Sequence, residues 1–228
     1  MSETGRVKSF IKSNFPRAVA IYHDAQRAWR RPSLRKVFSE IYHQNLWKDP
    51  ESVSGRGSTL ARTRVITSQL PPLLRELGAK TLLDAPCGDF NWMRYTDLGE
   101  VRYIGADIVA ELVLRNRRLY GSEGRSFVLL DLTKDRLPRA DAILCRDCLI
   151  HLSYERINAA VSNFKKTGAS HLLCTTHSSV QENTDCPDGG WRSVNLLLPP
   201  FNFPPPLRLI VEDAELGKCL GVWRLSDL

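Results

Sequence analysis

Five short apolar runs, of the kind that form buried strands, occupy residues 81–84, 101–107, 126–131, 140–147 and 170–176. Stretches with helical periodicity lie between them, most clearly at 110–119 and 153–166. Short apolar strands that alternate with helices predict a mostly parallel sheet with helices on both faces. Two further runs, 208–212 and 220–225, predict a terminal antiparallel strand pair. The fold class is therefore predicted to be α/β and doubly wound.

The region before the first strand has a different character. Residues 1–57 are interpreted as a basic helical extension that ends in a loop of small residues, and residues 58–228 as the main domain. Segment 1–36 holds nine Lys and Arg residues against Glu3 and Asp24, which equals the net charge of +7 of the whole chain. Such an arm favours contact with a phospholipid surface, a nucleic acid or an acidic substrate, and a solvated helical face is the alternative.

A helix is predicted directly after the small-residue loop. Ser58 is expected to cap it, and its apolar residues recur at three- and four-residue steps to about Leu77. The Pro71-Pro72 pair is expected to break or kink this helix. Gly78 is expected to end it.

Several classes of protein are disfavoured by composition. No apolar run approaches the roughly 20 residues that cross a bilayer, and the first residues lack the apolar stretch of a secretory signal. Cys145 and Cys148 form a C-x-x-C pattern, but no second pair stands at zinc spacing, so no metal site is predicted. A cytoplasmic location is the expectation.

Four of the predicted strands end in a carboxylate: Asp84, Asp107, Asp131 and Asp147. Ligands of doubly wound sheets lie over the carboxyl ends of the strands, so this row of acids predicts a site for a cationic, hydroxyl-rich ligand. The turn after the first strand holds a single glycine, Gly88, and an acid where a phosphate would lie. That turn disfavours the pyrophosphate of NAD or FAD.

These motifs resemble those of the class I S-adenosylmethionine-dependent methyltransferases, whose fold is Rossmann-like. Residues 82–88 resemble the first motif of that family, Asp107 its ribose-binding acid, Asp131 its adenine contact, and 141–152 its fourth motif. The resemblance implies S-adenosylmethionine as cofactor, bound by Asp84, Ala85, Pro86, Cys87, Gly88, Phe90, Trp92, Asp107, Ile108, Asp131, Leu132 and Arg146. Phe90 stands where the family has a glycine, so it either covers the cofactor or packs in the core.

A bacterial subset of the family looks closer still. It shares the D-A-P-C-G-D-F-x-W-M turn at 84–93, the S-G-x-G-S loop at 54–58 and the G-G-W-R segment at 189–192. That subset implies no particular substrate.

Candidate catalytic groups follow the fourth and fifth strands. Asp147, His151 and His177 are each a potential general base for a hydroxyl acceptor, although His151 also fits a structural bond to the backbone. Residues 177–207 are interpreted as a substrate-side insertion. The predicted substrate-binding residues are Arg56, Asn183, Asp185, Trp191 and Arg192. The two arginines either grip an anionic group or are ordinary surface cations.

The resemblance implies transfer of a methyl group to an oxygen or nitrogen of a small-molecule, glycan or lipid-linked acceptor. One alternative is a nucleic-acid methyltransferase that uses the basic arm, which the lack of an N/D-P-P-Y/F motif after the fourth strand disfavours. A second alternative is a non-catalytic scaffold that binds the cofactor. The sequence leaves the oligomeric state open.

Overall fold

The computed structural model describes residues 32–228, which are built around one seven-stranded sheet. The strands lie in the order β3-β2-β1-β4-β5-β7-β6. Strands β1 to β5 are parallel, and β7 runs antiparallel to both of its neighbours. Their bounds are Thr81–Asp84 (β1), Arg102–Asp107 (β2), Arg125–Leu129 (β3), Ala142–Cys145 (β4), His171–His177 (β5), Arg208–Asp213 (β6) and Lys218–Arg224 (β7). The predicted doubly wound, mostly parallel sheet with a terminal antiparallel pair is confirmed.

The described residues contain four α-helices. They are Leu34–His43 (α1), Leu60–Glu76 (α2), Ala110–Tyr120 (α3) and Tyr154–Phe164 (α4). None of the helices within residues 32–228 is both long and apolar enough to span a membrane. The basic arm and its predicted helices fall almost entirely on residues 1–31, which lie outside the described residues.

Helix α2 corrects two predictions. Its N-cap is Thr59, whose side chain accepts a hydrogen bond from the amide of Arg62, and not Ser58. The Pro71-Pro72 pair lies inside the helix and does not break it. The helix continues because Leu70, Leu73 and Leu74, on either side of the pair, are buried against the sheet.

The sheet separates two apolar layers because successive strand residues face opposite sides. On β1, Leu82 belongs to the layer beneath α2 and α3, and Leu83 to the layer beneath α4. The same alternation divides Ile143 from Leu144 on β4. Helices therefore cover both faces, and the carboxyl edge of the sheet is left for a site.

Candidate active site

A cleft of about 1040 Å³ lies over the carboxyl ends of β1, β2, β3 and β4, with α1 and Trp47 on its outer side. All four strand-end carboxylates line it. The remaining predicted cofactor residues that line it are Ala85, Pro86, Cys87, Gly88, Trp92, Ile108, Leu132 and Arg146. The structure therefore brings every predicted cofactor residue except Phe90 into one cavity, which we call the first cavity.

Phe90 is buried below the turn. Its side chain is 1% exposed and packs against the rings of Tyr103, Tyr120 and Phe127. Its φ of 60° turns the chain in the left-handed region, a conformation that favours glycine. Of the two interpretations of Phe90, packing fits the structure, and covering the cofactor does not.

The turn after β1 holds the small-residue loop against the sheet. The carboxylate of Asp89 accepts hydrogen bonds from Ser52 Oγ, the Val53 amide and Ser54 Oγ. Gly88 lies in the left-handed region at φ 54°, and a Cβ there would overlap Ser54 Oγ. Asp89 is therefore occupied in fixing residues 52–54, and Gly88 is required for the close approach of that loop.

Two carboxylates of the first cavity are buried in a way that disfavours their charged form. Burial raises the pKa of Asp84 to about 7, although the hydroxyl of Tyr103 donates to its Oδ2 at 2.6 Å. Burial raises the pKa of Asp107 to about 6, although the amides of Val109 and Gly88 donate to its two oxygens. A cation or additional hydrogen-bond donors in the cavity would stabilise the ionised form of both groups.

Asp147 is held as a fixed anion. Lys218 Nζ lies 2.6 Å and Arg146 Nη1 3.2 Å from its Oδ2. Burial alone would raise the pKa of Asp147, but these two cations outweigh it and lower that pKa to about 2. A carboxylate with so low a pKa is a poor proton acceptor near neutral pH. The two ion pairs therefore disfavour the interpretation of Asp147 as a general base.

His151 makes the structural bond to the backbone that was one of the two interpretations of it. Its Nδ1 donates to the carbonyl of Gly190 at 2.6 Å, and its ring lies against that of Trp47. Burial lowers the pKa of His151 below its ordinary value of 6.5. With Nδ1 protonated and bonded, Nε2 carries the free lone pair at neutral pH.

A second cavity, with about 1050 Å³ of empty space, adjoins the first. Trp47, Ser54, Asp147 and His151 line both cavities, so the two meet at these residues. Of the other predicted site residues, the second cavity receives His177, Arg56 and Trp191. Burial lowers the pKa of His177, which keeps its imidazole neutral near pH 7.

Three predicted substrate-binding residues make structural hydrogen bonds to the backbone instead. Arg192 is buried and donates to the carbonyls of Leu149 and Leu152 at 2.7 and 2.6 Å. Asn183 Nδ2 donates to the carbonyls of Asn195 and Pro199. Asp185 Oδ1 accepts from the first amide of α4 at 2.8 Å. Arg192 and Asp185 tie the 177–207 segment to residues 149–154, and Asn183 bonds within the segment itself. None of the three side chains lines either cavity.

The sequence reasoning missed residues on both sides of the site. Leu34, Phe38 and Tyr42 of α1, with Trp47 just after it, form one wall of the first cavity. The β6–β7 hairpin contributes Glu212, Asp213, Leu216 and Lys218 to the second cavity. The charged residues of the hairpin interrupt an apolar strand run, and this interruption is the one sequence signal that could have identified them.

Comparison with known proteins extends the assignment of the fold. No family model and no curated protein matches this chain. Human N-acetylserotonin methyltransferase, solved in complex with SAM, is similar at 14% identity and a TM-score of 0.60, over 94% of this chain and 68% of that one. A Burkholderia thailandensis 1,6-didemethyltoxoflavin-N1-methyltransferase, solved with its 1,6-didemethyltoxoflavin and S-adenosylhomocysteine, is similar at 19% identity and a TM-score of 0.57, over 84% of this chain and 86% of that one.

Likeness at these identities defines the fold. It is the Rossmann-like fold of S-adenosylmethionine-dependent methyltransferases, as the motifs at 82–88 and 141–152 predict.

Proposed function

We propose that this chain is an enzyme that transfers a methyl group from S-adenosylmethionine to an oxygen or nitrogen of a small-molecule acceptor. The observation that carries the proposal is the pair of adjoining cavities. The four strand-end acids and the Gly88 turn line the first, which meets the second at Asp147 and His151. The two solved structures with this fold hold SAM in one case, and S-adenosylhomocysteine beside a small molecule in the other, which supports the same arrangement here.

The residues of the first cavity fit this cofactor. When bound, S-adenosylmethionine supplies an electrophilic methyl group on a sulfonium. Each oxygen of Asp107 accepts one backbone amide and keeps a further lone pair for a ribose hydroxyl. Asp84, with its raised pKa, gains from a positive charge nearby. Asp131 and Leu132 lie in the same cavity, where the resemblance places the adenine.

His151 is the residue we assign as general base. Its Nε2 takes the proton of a hydroxyl acceptor as the methyl group is transferred, while the Gly190 carbonyl holds the ring in one tautomer. Asp147 contributes a fixed negative charge beside the imidazolium that forms. Most of the remaining rate enhancement comes from positioning the two reactants in line.

The acceptor, a small molecule or one sugar unit of a glycan or lipid-linked compound, is proposed to occupy the second cavity, because that cavity meets the first at Asp147 and His151. The nucleic-acid alternative depends on the basic arm, almost all of which falls on residues 1–31, and nothing within residues 32–228 favours it or the scaffold alternative. A cytoplasmic location and the boundary at residue 57 remain predictions.

Calorimetric titration with S-adenosylmethionine and S-adenosylhomocysteine tests the cofactor, with NADH as negative ligand. We expect micromolar dissociation constants for the wild type. Asp107→Asn should weaken binding about 10- to 100-fold, because hydrogen bonds to a charged group are worth about 1.5–3 kcal/mol. Asp97→Asn, the same change at an exposed position, is the matched control. A folded wild-type protein that binds neither ligand would refute the proposal.

A further inference from the structure

Four charged side chains form a buried cluster beside the second cavity. Arg146 bonds to Glu212 through Nε and Nη2, at 2.9 and 2.6 Å, and to the carbonyl of Gly57. Lys218 lies 2.6 Å from Asp147 Oδ2 and 3.7 Å from Glu212 Oε2. The Glu212 side chain has no exposed surface, and that of Arg146 is 4% exposed. We call these four residues the ion cluster.

One oxygen of the ion cluster has no partner. Every donor that reaches Glu212 bonds to Oε2, and Oε1 is buried without a hydrogen bond among the described residues. An unsatisfied carboxylate oxygen in a buried position is costly, because the lost hydration is not replaced. Glu212 lines the second cavity, so a donor that arrives with a ligand would supply the missing bond.

The charges around this oxygen are already balanced. The ion cluster holds two cations and two carboxylates, and Arg62 is paired with Asp213 at the cavity wall. Arg56, which also lines the second cavity, is exposed, so solvent screens its charge. A bound cation or anion would therefore bring an uncompensated charge into a partly buried site, whereas an uncharged donor would not.

Two tryptophan side chains form part of the wall of the second cavity. Trp47 and Trp191 both line the second cavity, and Trp191 is 62% exposed. The loop that carries Trp191 is fixed in place, because the amides of Gly189 and Arg192 donate to the carbonyls of His151 and Ile150. A flat, apolar indole face and a hydrogen-bonding carboxylate that line the same cavity suit a ring that bears polar substituents.

We propose that the acceptor is an uncharged, hydroxyl-bearing ring compound, one hydroxyl of which donates to Glu212 Oε1 while the ring stacks on Trp191. The inference rests on the proposed function and narrows its substrate class. Glu212 is then a specificity-determining residue that selects a neutral donor.

Four probes test this inference in the presence of saturating S-adenosylhomocysteine, with dissociation constants measured by saturation-transfer NMR. The probes are 4-hydroxybenzyl alcohol (neutral), 4-hydroxybenzoate (anionic), tyramine (cationic) and methyl β-glucoside (a neutral saturated ring). For the wild type we expect millimolar binding of at least one neutral probe, about tenfold tighter than either ion. Binding of 4-hydroxybenzyl alcohol would indicate an aromatic ring in the acceptor, and binding of methyl β-glucoside would indicate a sugar ring.

Glu212→Gln is the informative variant. Arg146 donates two hydrogen bonds at the Oε2 position and holds the amide oxygen there, so the amide NH₂ takes the place of Oε1 and no longer accepts. We expect the neutral probes to weaken about tenfold. Of the two charged probes, 4-hydroxybenzoate should gain affinity relative to tyramine, since the variant lacks one negative charge. Glu215→Gln, the same change at an exposed position outside both cavities, should alter neither.

Other outcomes decide against the inference. It fails if the ions bind the wild type as tightly as the neutral probes, if no neutral probe binds, or if Glu212→Gln leaves the order of affinities unchanged. S-adenosylhomocysteine affinity, measured on the same samples, reports separately on the proposed function, and its absence in the wild type would overturn both. If Glu212→Gln does not fold, the wild-type charge order and Trp191→Ala still decide, because an exposed side chain can be removed without unfolding the protein. Trp191→Ala should weaken the neutral probes several-fold, and unchanged binding would remove the stacking contact from the proposal.

Discussion

Replacement of Gly88 by alanine tests whether the turn after β1 and the small-residue loop form one unit. A new Cβ would lie 3.0 Å from Ser54 Cβ and would overlap Ser54 Oγ. That hydroxyl accepts from the Asp89 amide at 2.9 Å and donates to the Asp89 carboxylate at 3.2 Å. Ser54 must therefore move, and both hydrogen bonds are lost.

The expected loss in the free energy of unfolding is the sum of two separate costs. A non-glycine residue in the left-handed region costs about 1 kcal/mol. Loss of the two Ser54 hydrogen bonds adds about 2 kcal/mol, at about 1 kcal/mol each. Gly78 also has a positive φ, but no atom lies within 4 Å of the point that a Cβ would occupy there, so Gly78→Ala carries the first cost alone. We expect Gly88→Ala to lower the free energy of unfolding by about 3 kcal/mol, and Gly78→Ala by about 1 kcal/mol.

A double-mutant cycle isolates the contact between the two residues. Ser54→Gly removes the side chain that the new methyl group would overlap, so the further change Gly88→Ala should then cost only about 1 kcal/mol. Urea unfolding gives the free energies, and titration with S-adenosylhomocysteine gives the affinity, which we expect Gly88→Ala to reduce about tenfold because Ser54 and Gly88 both line the first cavity. Additivity of the two changes to within about 0.5 kcal/mol would refute the reasoning.

Three further predictions concern titratable and charged side chains in and near the site. The affinity for S-adenosylmethionine should fall as the pH is lowered from 8 to 5, because the cationic ligand favours the ionised forms of Asp84 and Asp107. The pKa values of these two carboxyls are about 7 and about 6. Calorimetry in buffers of different ionisation enthalpy should therefore detect proton release on binding near pH 6.5. His151→Gln should lower kcat about 10²–10⁴-fold for a hydroxyl acceptor and change the cofactor affinity far less. At saturating S-adenosylmethionine the wild-type kcat should decline only below pH 6.5, as a pH–rate profile would record. Arg192→Lys should lower the free energy of unfolding by about 2 kcal/mol in urea titrations and leave cofactor binding intact, because the guanidinium ties buried carbonyls and touches neither cavity; an intact stability with lost acceptor binding would restore it as a substrate contact.

The parts of this molecule that sequence predicts are those with local signals. Each strand of the parallel sheet is a short apolar run, and the acids that end β1 and β2 mark the edge where they meet. Of the break or kink expected at Pro71-Pro72, the break was wrong, because a local rule was applied where tertiary packing of Leu70 and Leu73 decides. Arg192 was misassigned for a related reason: a polar side chain in an irregular segment serves equally well to bind a ligand or to satisfy buried carbonyls.

The ion cluster was beyond local reasoning because its members come together only through the topology. Lys218 is 71 residues from Asp147, and Glu212 is 66 residues from Arg146. Strand β7 runs against β5, so its first residue, Lys218, lies opposite His177 at the carboxyl end of that strand. The β6–β7 turn therefore faces the same edge as the ends of the parallel strands.

An antiparallel pair at the end of such a sheet thus contributes to the site in a way that a further parallel strand does not. A parallel strand brings one terminus to the carboxyl edge, whereas a hairpin brings the end of one strand and the start of the next. Here the end of β6 supplies the carboxylate of Glu212 and the start of β7 supplies the ammonium of Lys218. These two opposite charges lie close together near Asp147. Because the hairpin is itself predictable from the runs at 208–212 and 220–225, charged residues that flank its turn are the ones to examine first in a sequence of this pattern.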